Sequence, residues 1–266
     1  MNFKIKAFGI SVIVLLFTSI QAFAIEAYPS NWFVQMKWNK VQVLLRASDA
    51  DFSKSTITIQ YPGVTLQKTH HFENGHYIAV DLLIQPTAKP GSVIIQIKNG
   101  ASVQNVDWPL KQRRQGNGTK FAQGVNQSDL IYFLMPDRFS NGDPSNDRIA
   151  GLKDQSLNRD SIFLRHGGDL KGVQNHLEYL QNLGATTLWM TPILENDMPD
   201  RTEHGYAATN HYAVEKRFGG EAAYLALSDA LHARGMKLIQ DAVYNHVGRF
   251  HFLVQDAPAK NWLHQW

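Results

Sequence analysis

After residue 129 the chain alternates apolar runs with segments of helical period, and this alternation narrows the available folds more than any other feature. Leu130-Ile131-Tyr132-Phe133-Leu134-Met135-Pro136 is a continuous apolar run, the pattern of a strand buried on both faces. Val173, Leu177, Leu180 and Leu183 follow at helical spacing, and Gly184 stands where a glycine commonly closes a helix. Thr186-Thr187-Leu188-Trp189-Met190-Thr191-Pro192 predicts a second buried strand. Ala223, Leu227, Ala230, Leu231 and Ala233 mark a second helix ended by Gly235, and Lys237 to Val243 a third strand. The order β–α–β–α–β implies a parallel sheet with right-handed crossovers.

The preceding half has another rhythm. Trp32 to Met36, Val41 to Leu45, Thr56 to Ile59, Tyr77 to Leu82 and Val93 to Ile97 are β-branched or aromatic, with Gly, Pro, Asn or Asp between them. Such spacing predicts an antiparallel, immunoglobulin-like β-sandwich over residues 25–110. The polar stretch from Lys111 to Thr119 opens a linker assigned to residues 111–128, and the β/α half occupies 129–266.

The first two dozen residues are different in kind. Lys4 and Lys6 precede the apolar stretch Ala7 to Ile20, and Ala22-Phe23-Ala24 supplies small residues two apart. This is the layout of a secretory signal peptide, residues 1–24, cleaved after Ala24 and leading to a secreted or periplasmic product. The other reading is a membrane anchor, but the run falls short of the roughly 20 residues that span a bilayer. No membrane insertion is therefore expected after cleavage. Formal net charge is +3, two units of which come from Lys4 and Lys6, and no Lys/Arg cluster points to nucleic acid. There is no cysteine, which excludes disulfide and thiolate chemistry.

Four motifs in order carry a family resemblance. Asp241-Ala242-Val243-Tyr244-Asn245-His246 resembles the first conserved motif of the α-amylase superfamily, at the end of its third barrel strand. His204-Gly205-Tyr206 ahead of Arg217-Phe218-Gly219 is similar to that superfamily's segment before its second helix. Met135-Pro136-Asp137-Arg138-Phe139-Ser140-Asn141-Gly142-Asp143 and Gly167-Gly168-Asp169-Leu170-Lys171-Gly172 are narrower, and resemble the cyclomaltodextrinase, neopullulanase and maltogenic amylase subfamily. The resemblance implies an N-terminal β-sandwich followed by a TIM (β/α)8 barrel, of which 129–266 would hold strands one to three. It also implies a retaining glycoside hydrolase acting on α-1,4-glucosidic bonds of cyclodextrin, maltodextrin or pullulan, with a homodimer among its assemblies. Asn210, where the family usually has Asp, and His211, where it has an aromatic or similar residue, depart from the pattern.

Tyr206 and His246 are candidates to face a sugar, since a pyranose C–H face suits an aromatic ring and an imidazole can bond a hydroxyl. Asp241 and Asn245 stand beside them at a strand's C-terminal end, where barrel enzymes place their sites. The alternatives from the residues alone are a core aromatic and a satisfied loop histidine. The resemblance implies that the tyrosine stacks under a glucose and that the histidine bonds its hydroxyls. Trp189, Trp262 and Trp266 read as packing. Trp32 and Trp38 are open to either a glucan patch or the sandwich core.

In Asn141-Gly142-Asp143-Pro144-Ser145-Asn146-Asp147, four amide or carboxylate side chains, Asn141, Asp143, Asn146 and Asp147, crowd into a tight loop. With the Gly167 carbonyl and Asp169 they make an oxygen set of the kind calcium takes. Turn chemistry alone also explains such residues. The resemblance implies one structural Ca2+ held by Asn141, Asp143, Asn146, Asp147, Gly167 and Asp169.

Retention needs two carboxyls about 5 Å apart. The family places its nucleophile on the fourth barrel strand and its acid on the fifth, whereas a whole barrel takes about 250 residues. The expectation is therefore that the 266 residues contain no catalytic pair and are inactive alone, as the front part of a longer hydrolase. The alternative is a glucan-binding product without catalysis.

Overall fold

The computed structural model describes residues 24–264, apart from 117 and 120, so Trp266 and the segment read as a signal peptide, all but Ala24, lie outside the described residues. The first half is two four-stranded sheets face to face. One has the order β1–β3–β6–β5, formed by Glu26–Tyr28 (β1), Lys40–Arg46 (β3), Tyr77–Ile84 (β6) and Val64–His71 (β5), all antiparallel. The other is β2–β8–β7–β4, from Trp32–Phe33 (β2), Ser102–Lys111 (β8), Gly91–Asn99 (β7) and Thr56–Ile59 (β4). Its pairings are antiparallel except the short parallel contact of β2 with β8.

The core follows from period-two alternation, which turns every second side chain inward. Val41, Val43 and Leu45 from β3 meet Val93, Ile95 and Ile97 from β7, with Val106, Trp108 and Leu110 from β8 in the same cluster. Trp108 is fully buried and satisfies its indole N–H on the Pro29 carbonyl at 2.8 Å. Trp32 packs partly buried against this core, whereas Trp38 stands 72% exposed. Lys111, assigned to the linker, is the last residue of β8.

The second half is a parallel sheet, β13–β10–β9, formed by Ile131–Leu134 (β9), Thr187–Met190 (β10) and Lys237–Gln240 (β13). Each new strand adds beside the last, the order in which a (β/α) barrel begins. Between the strands lie the helices Leu170–Asn175 (α2), Leu177–Asn182 (α3) and Gly220–Ala233 (α4), while Pro136–Phe139 (α1) follows β9 directly. The short hairpin of Leu194–Glu195 (β11) and Asn210–Val214 (β12) stands above the sheet's C-terminal end. One helix was expected from Val173 to Leu183, but it is interrupted at His176. There the imidazole Nδ1 lies 2.8 Å from the Gly172 carbonyl and takes an oxygen of the helical ladder. Gly184 and Gly235 close their helices as expected. Both have positive φ, and the following amide reaches back to the third-last helical carbonyl, Ala185 to Leu180 and Met236 to Leu231.

The strands are not buried on both faces, which corrects the reading of the apolar runs. Leu134, Leu188 and Met190 pack against α2, α3 and α4, but Ile131 and Phe133 are 41% and 52% exposed. Helices cover one face of the three strands only, and the continuous apolar run reflects the demand of both faces without both being covered here. On the open face Phe133 meets Trp189 edge-on, with centroids 5.0 Å apart.

The halves touch through Phe252–Gln255 (α5) and the residues after it. Phe252 stacks on Tyr28 at 4.7 Å, Trp262 meets Phe72 edge-on, and Asp256 accepts from Asn74 Nδ2 at 2.6 Å.

Candidate functional site

Two strand ends and a loop converge on one carboxylate. Asp241 directly follows β13, and its Oδ2 accepts from the Tyr206 hydroxyl at 3.0 Å and from the Trp189 indole N–H at 3.2 Å. Burial first, then the hydrogen bond to Asp241 and its charge, raises the pKa of Tyr206. His246 turns back over the same group, with Nε2 2.9 Å from the Tyr206 carbonyl. A carbonyl only accepts, so that nitrogen carries the proton and Nδ1 of neutral His246 is left as an acceptor. Asn245 is exposed and takes no part in the cluster.

Trp189, read as packing, does pack edge-on against Phe133 and also joins this group through its indole N–H. The signal for it was in the strand period. Trp189 pairs with Ile239, and Asp241 lies two residues beyond Ile239, which puts both side chains on one face.

The loop carrying Tyr206 is fixed from several sides. Gly205 has φ +80°, and a Cβ there would meet the Pro192 carbonyl oxygen at 2.1 Å, so only glycine fits. His204 Nδ1 accepts from the Tyr206 amide at 2.9 Å, and its ring stacks on the tyrosine. Beneath, Arg217 and Glu215 form a fully buried bidentate pair, both bonds at 2.9 Å. Burial pushes the Glu215 carboxyl up, but the bonds and charge of Arg217 outweigh it and hold it low. Arg217 also donates to the carbonyls of Asp154 and Asn196, which anchors the base of the hairpin.

The two positions that depart from the family pattern differ in reach. Asn210 closes a local turn, accepting from the Tyr212 amide at 2.9 Å. His211 reaches across to the loop after β13, with Nε2 3.3 Å from the Val243 carbonyl.

The six residues expected to hold a metal gather in one loop system but differ in freedom. Asp169 caps α2 and accepts from the amides of Gly142, Asp143 and Gly172 and from Asn146 Nδ2, which saturates both its oxygens. Asp143 accepts from the Ser145 amide and hydroxyl, and those bonds lower its pKa. Asn141 donates to Asp147 at 2.7 Å. Burial raises the Asp147 pKa, the Asn141 amide opposes this, and the Asp169 charge adds to the rise. Gly167, at φ +85°, lies so close that a Cβ would meet Asp147 Oδ1 at 2.6 Å. Two buried amide oxygens, Asn141 Oδ1 and Asn146 Oδ1, have no donor. Buried orphan acceptors are costly, and an oxygen-ligated cation satisfies them, so the donor set fits one. No three His, Cys, Asp or Glu side chains converge as a metal cluster among the described residues, so amide and backbone oxygens would have to supply much of the shell.

The family model described as alpha amylase, catalytic domain, matches residues 133–265. The chain belongs to the α-amylase family. A second family model, cyclomaltodextrinase N-terminal, matches residues 26–114, the sandwich half. Neopullulanase 2 of Thermoactinomyces vulgaris is 40% identical over 49% of this chain and 22% of its own length. The periplasmic alpha-amylase of Escherichia coli is 37% identical over 44% of this chain and 19% of its own. A cyclomaltodextrinase of Thermoanaerobacter pseudethanolicus is 35% identical over 51% and 23%. The chain thus spans about a fifth of the length of these relatives. Among the described residues no helix is long and apolar enough to cross a membrane.

Proposed function

We propose that the protein is an exported α-glucan hydrolase of the cyclomaltodextrinase type, cleaving α-1,4-glucosidic bonds in cyclodextrin, maltodextrin or pullulan with retention. The observation that carries this reading is the convergence of Tyr206 and Trp189 on Asp241, with His246 bonded to the Tyr206 carbonyl, at the C-terminal end of a parallel sheet, where barrel enzymes act. The neopullulanase and cyclomaltodextrinase names of the relatives support the substrate class.

In this reading the residues described here hold the sugar rather than cut it. Tyr206 offers a ring face to a pyranose, and the Asp241 bond fixes that ring's tilt. Nδ1 of His246 accepts from a sugar hydroxyl, and the exposed amide of Asn245 is free to add a second bond. The nucleophile and acid come from the fourth and fifth barrel strands, with Asp241 in a supporting role. Calcium, held by Asn141, Asn146, Asp147 and the Gly167 carbonyl with Asp143 and Asp169 adjacent, would supply fixed positive charge to that loop. Residues Met1 to Ala24 direct export, which a reporter fusion whose exported form begins at Ile25 checks.

The test is reducing-end release from cyclodextrin, maltodextrin and pullulan by a reading frame that includes the fourth and fifth strands. Turnover is expected there and none from the 266-residue chain alone. Turnover by the short chain that vanishes with Asp241→Asn would overturn the supporting role of Asp241, and none by the longer protein would sink the reading.

A further inference from the structure

A row of hydrogen bonds fixes the proton positions of two imidazoles. His251 caps α5, its Nδ1 accepting from the Leu253 amide at 3.1 Å. A ring nitrogen that accepts carries no proton, so neutral His251 holds its proton on Nε2. That nitrogen lies 3.4 Å from His211 Nδ1, while His211 Nε2 faces the Val243 carbonyl. The carbonyl requires a donor, so His211 carries its proton on Nε2 and accepts on Nδ1. With both rings neutral, the donors all run one way: Leu253 to His251, His251 to His211, His211 to Val243.

The row joins two places with separate tasks. Val243 lies in the loop that begins at Asp241 and ends at His246. Leu253 lies in α5, whose Phe252 stacks on Tyr28 and which is followed by Asp256, bonded to Asn74 and His76 of the sandwich. A phenylalanine ring at 211 makes neither bond.

We infer that His211 and His251 form a paired positioning device, which ties the loop after the third barrel strand to the domain-bridging helix while both rings are neutral and releases it when either is protonated. A second proton on His211 sets two N–H groups against each other, and one on His251 Nδ1 removes the acceptor for Leu253. The value of the loop to sugar binding rests on the proposed function; the relay itself does not.

The surroundings favour neutral His251. His251 is 3% exposed, and burial first, then the charge of His211, lowers its pKa to about 4. The charged and titratable groups on the packed elements are Glu26 and Tyr28 on β1, Arg46 on β3, His76 before β6, Tyr212 on β12, Asp241, Tyr244 and His246 on the loop after β13, Arg249 before α5, Asp256 after it, and Lys153 with Asp197 beside Phe250. Arg46 pairs with Glu26 and Asp256, His76 with Asp256, and Lys153 with Asp197. The carboxylates are thus committed elsewhere, and none bonds either imidazole to favour its cation.

Histidine ring 15N–1H correlation spectra of the 266-residue chain from pH 8 to pH 4 test this, with His211→Phe and His251→Asn assigning the signals. At neutral pH both rings are expected as the Nε2–H tautomer. His251 should begin to titrate only toward pH 4, with the Val243 and Leu253 amides shifting along the same curve. His211→Phe removes the charge that holds the His251 pKa down, so the His251 midpoint is expected to move up, a rise opposed in part by loss of the acceptor for its Nε2–H. His251→Asn keeps an oxygen cap for Leu253 and serves where the phenylalanine variant fails to fold; the His211 ring is then expected to lose its single tautomer. A Nδ1–H tautomer at His251, a midpoint near the ordinary 6.5, or Val243 signals that ignore the titration would overturn the inference. None of these readouts depends on glycosidase activity, so the relay and the proposed function fail separately.

Discussion

The hydroxyl of Tyr206 lies 3.0 Å from Oδ2 of Asp241, and the bond joins two residues that the chain separates by 35 positions. Tyr206 hangs from the loop before β12 and Asp241 from the end of β13, so this contact sets one wall of the candidate cleft against another. Tyr206→Phe keeps the ring and removes the bond. A hydrogen bond to a charged group is worth about 1.5–3 kcal/mol, and the partial exposure of this one puts it at the lower end. In a protein with a complete barrel the expected loss is about tenfold in kcat/KM, and Tyr206→Ala should lose more because the stacking face goes too. Reducing-end kinetics on cyclodextrin check it, and a phenylalanine variant with unchanged kcat/KM would remove the bond from the mechanism.

The legible parts of the fold were those with one dominant period. Val41, Val43 and Leu45 alternate cleanly and form β3, and Leu227 and Leu231 sit one turn apart and are the buried face of α4. β5 was missed because Val64 to His71 carries Gln67, Lys68 and Thr69 on an edge strand with little to bury. β8 was hidden by Pro109, which breaks a strand reading although it is tolerated here beside the short β2. The site was legible where a motif names residues, as for Tyr206 and Asp241. Trp189 and His211 needed the register of β10 with β13 and the path of the loop after it, which no local pattern supplies.

Asp256 holds the two halves together. Its carboxylate accepts from Asn74 Nδ2 at 2.6 Å and faces His76 Nδ1 at 3.1 Å, with Arg46 at 3.6 Å. Burial pushes its pKa up, but the bonds from Asn74 and His76 and the nearby cations leave it below the ordinary value. Asp256→Ala leaves Asn74 and Arg46 without this acceptor and should cost about 1–3 kcal/mol. Because the sandwich has its own core, scanning calorimetry should show the loss as separation of two transitions, the sandwich melting last. A variant that melts as the parent does would show that Phe252 and Tyr28 carry the contact alone.

Asp129 ties the start of the barrel half to β13. Lys237 Nζ donates to it at 2.7 Å, the Thr186 hydroxyl at 2.9 Å and the Asn126 amide at 2.8 Å, and the Lys237 bond is the main reason its pKa falls to about 2. The folded value lies below the unfolded one, so the unfolded chain binds the proton more readily. The stabilisation is therefore complete above roughly pH 4 and is lost as pH falls toward 2. Asp129→Asn should lower the melting temperature near neutral pH and flatten its decline across that acid window. Equal declines in parent and variant would mean that Lys237 finds equivalent partners without it.

Calcium is the sharpest test of the loop between Asn141 and Asp169. Asn141 Oδ1 and Asn146 Oδ1 are buried without donors, and Asp147 is held above its ordinary pKa by burial and by the charge of Asp169. A cation there gives both amides a partner and favours the ionised form of Asp147, so its affinity should weaken as pH falls and that carboxyl takes up a proton. A ligand that binds only the folded state stabilises it by about 2.7 kcal/mol at a hundredfold excess over its dissociation constant. Thermal unfolding with chelator and with added calcium should therefore differ by several degrees in the parent. Asp143→Ala combined with Asp147→Ala should abolish that difference, while Asp169→Ala should also lower stability without calcium, because it removes the α2 cap on the Gly172 amide and the contacts to the Gly142 and Asp143 amides. The Asp169 variant separates scaffold from ligand: a calcium response that survives in the Asp143/Asp147 double variant would leave this loop a turn system held by Asp169 and no metal site.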